Sequence, residues 1–173
     1  MSTLRAGYGK CEITPSIGCF MQGNPTRRQV EVIHDPLYAR CVAFENDGLA
    51  VLMYFDVCGI PQNICDPMRQ FVAESLGIEA TNVFISATHT HTGPNLNNGM
   101  FPKDEAYIDS LKHYAARAAR TAVNDLHPAQ MYFNCWKVIK TRPYHVDNKI
   151  LSYYSGNAKG NVLIYRNLLP VIR

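Results

Sequence analysis

Residues 49–87 read LAVLMYFDVCGIPQNICDPMRQFVAESLGIEATNVFISA. The run Leu49 to Phe55 is apolar and bounded by polar residues, which predicts a strand. From Pro61 to Leu76 the period changes: Ile64, Met68, Phe71, Val72 and Leu76 fall on one helical face, and Gly77 sits where a helix C-cap glycine belongs. Val83-Phe84-Ile85 then reads as a buried strand. Strand, helix and strand in this order make a βαβ unit, whose strands should run parallel through a right-handed crossover. In open α/β sheets ligands bind beyond the carboxyl ends of parallel strands. Those two ends carry Asp56-Val57-Cys58-Gly59 and Thr88-His89-Thr90-His91.

Working outward, Leu37 to Glu45 is a second strand joined to Leu49–Phe55 through Asn46-Asp47-Gly48, a hairpin signal that makes the two antiparallel neighbours. AGYGKCEITP at residues 6–15 opens the chain as a short strand, followed by a loop rich in Gly, Pro, Asn and Arg to about residue 29. Asp104 to Leu126 has acidic residues in its first turn, an apolar line through Leu111, Ala115, Ala118 and Ala122, and Pro128 just past its end, so it predicts a long helix. Met131–Ile139 and Val162–Tyr165 are further strand candidates. The fold class is α/β: a mixed sheet with a βαβ unit and flanking helices, the whole of residues 1–173 forming a single domain.

The stretch SATHTHTGP, residues 86–94, holds the most reactive side chains. If the strand continues through residue 91, His89 and His91 share a face, because side chains alternate with period two. Two neutral imidazoles side by side can hold one divalent cation, or one can bind while the other moves a proton. Flanking threonines can hydrogen-bond imidazole or backbone, and Gly93-Pro94 turns the chain away. A catalytic zinc ion takes three protein ligands and a water, so the pair is at most part of a site. Asp56 is the nearest further candidate: a carboxylate ending an apolar run must be hydrogen-bonded, paired or near a metal. It can serve as a ligand, as an acceptor behind a ligand, or as a cap. His34, in IHDPLYAR, and His145 with Asp147, in YHVDN, are other candidates; His113 and His127 read as structural or solvated.

Composition narrows the function classes. Of 173 residues, 47% are hydrophobic and 18% charged, with a formal charge of +3, which suits an ordinary domain with its own core. No block of like charge marks a nucleic-acid surface. No apolar run is long enough to span a bilayer. Six cysteines form no CxxC pair, and the start MSTLRAGYGK has no apolar leader. Reduced, mostly buried thiols in a cytoplasmic protein are expected, or a secreted protein if a leader has been removed. HxHxDH, HExxH, GxSxG and P-loop patterns are all absent, so a serine-nucleophile elbow and a zincin helix are unsupported.

AGYGKCEITP, then HDPLYARCVAF, then a strand ending in Asp56, then NVFISATHTHTGP together resemble the neutral/alkaline (non-lysosomal) ceramidase family in order and approximate spacing. The resemblance is strongest over residues 6–94 and continues weakly to 144. It implies a zinc-dependent hydrolase that cleaves an N-acyl amide, as in ceramide to sphingosine and fatty acid, and so a small amphipathic sphingolipid-like substrate. It implies that His89 is a zinc ligand and that His91 lies beside the metal, binding substrate or handling protons. Arg142, in KTRPY, falls near the place of a family arginine, with Thr141 where the family has asparagine; a loop arginine can stabilise negative charge near a metal. Family catalytic domains run to several hundred residues and draw another histidine, a glutamate and a tyrosine onto the zinc from beyond the matched region. The expectation is therefore the amino-terminal portion of a larger α/β catalytic domain. Its alternatives are a catalytically inactive module with a zinc half-site, or another cytosolic metallohydrolase completed locally by His34 or His145.

Overall fold

The computed structural model describes residues 3–23, 26–99 and 101–131, together with the backbone of two short strands at 144–146 and 149–151. The chain divides into two compact units, Met1–Ala129 and Gln130–Arg173. In the first unit the elements run β1 (Arg5–Glu12), β2 (Tyr38–Glu45), β3 (Leu49–Phe55), α1 (Gln62–Leu76), β4 (Val83–Ala87), α2 (Glu105–Asn124) and a two-residue edge piece, β5 (His127–Pro128). In the second, β6 (Tyr144–Val146) and β7 (Lys149–Leu151) form an antiparallel pair. The candidate strands at 132–139 and 162–165, and the side chains of Arg142, His145 and Asp147, lie outside the described residues.

The sheet order is β4-β3-β2-β1-β5. β3 pairs with β4 in parallel while the other neighbours are antiparallel, so the sheet is mixed and contains the expected βαβ unit. The hairpin forms as its sequence predicts: Asp47 takes φ 57°, in the left-handed region that Asn and Asp tolerate, and Asn46 N–H donates to Gly48 O at 3.0 Å. Gly77, at φ 67°, closes α1 with its N–H directed at the Ala73 and Glu74 carbonyls. Asp104 starts α2 as N-cap, its carboxylate accepting from Tyr107 N–H at 3.0 Å.

Period two divides the sheet cleanly. Ala39, Cys41 and Ala43 of β2 and Val51, Met53 and Phe55 of β3 are buried, forming a core with Met68 and Val72 of α1. The α2 face that joins them is almost all alanine: Ala115, Ala116, Ala118, Ala119 and Ala122 are fully buried. Gly7 and Gly9 on β1 meet it, and a Cβ on Gly9 would collide with the Ala118 carbonyl oxygen. Small residues on both sides thus let helix and strand backbones approach closely. Tyr107 ties the same helix to the end of β1, its hydroxyl donating to Ile13 O at 2.6 Å; burial raises its pKa. On the opposite face the register aligns Tyr8, Val42, Leu52 and Phe84 in one row across four strands. Tyr8 and Phe84 of that row are exposed, at 41% and 57%. Among the described residues, no helix is long and apolar enough to cross a membrane.

Candidate metal centre

The parallel register places Phe55 opposite Ala87, so β3 and β4 end side by side. The segments leaving them stay together: Thr88 N–H donates to Phe55 O at 2.9 Å. Gly93 then lies directly on the first loop, where a Cβ would come within 3.0 Å of Asp56 O and 3.2 Å of Val57 Cα. This close approach brings residues 88–93 over Val57-Cys58.

β4 stops at Ala87, so the two histidines do not share a face through strand alternation. His89 sits instead in a turn at φ 61°, a conformation that costs an L-residue about 1–2 kcal/mol and that recurs at functional sites. The turn makes the rings converge, with centroids 5.1 Å apart at 75° and the two Nε2 atoms 3.5 Å apart. His89 Nδ1 lies 2.6 Å from the Cys58 carbonyl oxygen. A carbonyl oxygen only accepts, so Nδ1 carries the proton and Nε2 is the lone-pair nitrogen of the neutral ring. A backbone carbonyl on the far nitrogen is the usual means of orienting a metal-binding histidine. Of the two partners the threonines' position suggested, Thr90 takes the backbone. Thr90 Oγ1 is 2.9 Å from Thr92 Oγ1 and accepts from Thr92 N–H, bracing the turn.

A third loop supports His91. Residues 20–22 lie along 93–96: Met21 bridges to Pro94, Gln22 N–H donates to Gly93 O at 3.0 Å, and Asn95 N–H donates to Phe20 O at 2.7 Å. Gly23 follows at φ +96°, with its backbone so close to the His91 ring that a Cβ would lie 2.5 Å from Cγ. Buried Asn95 locks the other side, its amide shared among the carbonyls of Asn97, Phe101 and Pro102.

Among the described residues one group of His, Cys and carboxylate side chains has metal-like spacing: Cys58, His89 and His91, with ligand atoms all within 4.8 Å of one another. Cys58 is the member that sequence reasoning treated as a buried thiol. Its Sγ is 3.8 Å from His89 Nδ1, and burial pushes its pKa up. The spacing fits a zinc-type cation: at Zn–N bonds of ~2.0–2.1 Å, two tetrahedral nitrogen ligands stand ~3.3 Å apart, against the 3.5 Å found here. Asp56 is engaged elsewhere. Its Oδ2 accepts from Arg40 Nη1 at 2.6 Å and from Tyr38 N–H at 3.0 Å, which pins the end of β3 to the start of β2. His34 is exposed in the loop before β2 and is not among the grouped side chains. His113 packs edge-on against Phe71, and His127 bonds to the Asp125 carbonyl. The five cysteines among the described residues are unpaired thiols.

No family model and no curated protein sequence matches this chain. Solved structures share its fold, two ceramidases among them. The neutral ceramidase from Pseudomonas aeruginosa superposes with a TM-score of 0.69 at 22% identity, over 79% of this chain. A ceramidase complexed with C2 gives 0.69 at 21% identity, over 80%. In each case the match spans only 24% of the ceramidase, so the chain corresponds to about a quarter of those proteins' length.

Proposed function

We propose that this chain carries part of the active site of a zinc-dependent, ceramidase-like hydrolase of N-acyl amides. The observation that carries the reading is the convergence of His89 and His91 Nε2, 3.5 Å apart, at the carboxyl ends of paired parallel strands. It supports the reading because the fold around it is shared with ceramidases. His89, held by the Cys58 carbonyl, presents its Nε2 lone pair to the metal. A zinc ion bound there would polarise an acyl carbonyl and lower the pKa of water to ~7. His91 Nε2, 3.5 Å away, faces the same position as a second nitrogen donor. The Asp56–Arg40 pair pins the end of β3 to the start of β2.

The test follows fatty acid release from a short-chain N-acylsphingosine, using the zinc-loaded chain and the longest product its own reading frame encodes. Hydrolysis that disappears in both His89→Ala and His91→Ala supports the reading. Zinc-loaded protein with no turnover in either form refutes it. The match to only 24% of each ceramidase favours a second reading, a metal-holding module without turnover of its own. That reading predicts zinc binding in the chain and hydrolysis only in the longer product.

A further inference from the structure

We infer that Cys58 is itself a metal ligand, so that this chain presents a mixed thiolate–imidazole site at the ends of β3 and β4. The inference rests on the metal reading of His89 and adds a donor that the ceramidase resemblance does not supply. Three facts carry it. Cys58 Sγ, His89 and His91 offer ligand atoms within 4.8 Å of one another, and no other such group occurs among the described residues. Cys58 and His89 are bound to one another through the Cys58 carbonyl, so neither can move away alone. Gly93 holds the two loops in backbone contact. Donors around one zinc ion stand ~3.3–3.6 Å apart. Cys58 Sγ lies 3.8 Å from His89 Nδ1, the nitrogen held by the Cys58 carbonyl, so ligation beside Nε2 takes rotation of the Cys58 side chain about its Cα–Cβ bond.

The chemistry of the donors gives the site a preference. A sulfur donor beside imidazole is soft and selects zinc or cobalt over magnesium and calcium, which take oxygen ligands. Binding deprotonates the thiol, and the metal's positive charge offsets the burial that otherwise keeps it neutral. With His91 in reach, the cluster supplies the three protein donors that a catalytic zinc uses, leaving one position for water or substrate.

The test is a cobalt(II) titration of the reduced full chain under anaerobic conditions, with circular dichroism to confirm folding. Thiolate ligation gives a sulfur-to-cobalt charge-transfer absorption that nitrogen and oxygen ligands do not. The expected result is a band that saturates at one cobalt per chain and is absent in Cys58→Ser, Cys58→Ala and His89→Ala. Zinc affinity, read by chelator competition, should fall in the Cys58 variants by at least the ~10–100-fold seen on losing a partner that only orients a ligand. A band that persists in Cys58→Ser, cobalt bound with no such band, or no stoichiometric cobalt at all overturns the inference. Cobalt bound by histidine alone refutes the Cys58 assignment and leaves the hydrolase reading standing. A sulfur-ligated site with no turnover does the reverse.

Discussion

Replacing Gly23 with alanine perturbs His91 without touching any proposed ligand. At φ +96° the backbone of residue 23 lies in a region open chiefly to glycine, so a side chain there costs about 1–3 kcal/mol before any contact is considered. The new Cβ would lie 2.5 Å from His91 Cγ, 2.7 Å from Cδ2 and 3.0 Å from Cβ. Ordinary carbon contacts are ~3.5–4.0 Å, so ring and loop must separate by about 1 Å. The Nε2 pair, now 3.5 Å apart, would open by a comparable amount and leave the range that one cation bridges. A displacement of that size costs ~10²-fold in a positioned catalytic group, and metal affinity should fall by ~10–100-fold. The assay is zinc affinity by chelator competition together with the thermal midpoint, with Gly48→Ala as a control, since nothing lies within 4 Å of a Cβ there. Gly23→Ala should lower affinity far more than Gly48→Ala at similar or smaller loss of stability. Unchanged zinc affinity in a folded Gly23→Ala protein would refute the claim that this loop positions His91.

Three further outcomes follow from the fold. Gly9→Ala should destabilise by about 3 kcal/mol, the upper end of overpacking costs, because the collision is with α2 backbone at Ala118 and Ala122 and no rotamer relieves it; urea midpoints of variant and parent measure it. Asp56→Ala should lower stability by about 1–3 kcal/mol by leaving the Tyr38 N–H and Arg40 unpaired, while the cobalt spectrum of the folded protein stays the same; a changed spectrum would return Asp56 to the metal. Burial pushes the Cys41 thiol from 9.0 up to about 12, so the unfolded chain ionises first. That contribution to stability is fully present below pH 9.0 and is lost as pH rises through about 12. Denaturation midpoints taken into the alkaline range should fall less steeply in Cys41→Ala than in the parent, and equal slopes would contradict it.

The elements with strong local signals were legible from residues alone. Asn46-Asp47-Gly48 specified the hairpin, Gly77 the end of α1, and the spacing of Ile64, Met68 and Val72 the face that α1 buries. Each signal acts within a few residues, so it survives whatever the rest of the chain does. The β1–α2 contact was less legible. Gly7 and Gly9 read as ordinary glycines in a strand, and their purpose shows only against Ala118 and Ala122, more than a hundred residues away. Apolar periodicity marked the α2 stripe but not its closeness to the sheet.

The candidate metal centre shows the same division at finer scale. Element order put its residues at the adjoining carboxyl ends of β3 and β4, because the βαβ rule depends only on element order, and the parallel pairing of those strands is what the structure has. The route by which the histidines meet was not readable. Period two would have aimed both rings to one side of a continuing strand, but the strand ends at Ala87 and His89 turns through φ 61°. Convergence therefore depends on three backbone features that carry no chemical signature in sequence: the Cys58 carbonyl on Nδ1, Gly93 against Asp56, and Gly23 against the His91 ring. Cys58 carries no local signal for a related reason. A cysteine three residues past a buried strand usually packs as a small apolar group, and only its distance to His89 distinguishes it. The residues that set the geometry here are glycines and main-chain atoms. Substitutions that leave every candidate ligand in place, Gly23→Ala first among them, should therefore disable the site as effectively as removing a histidine.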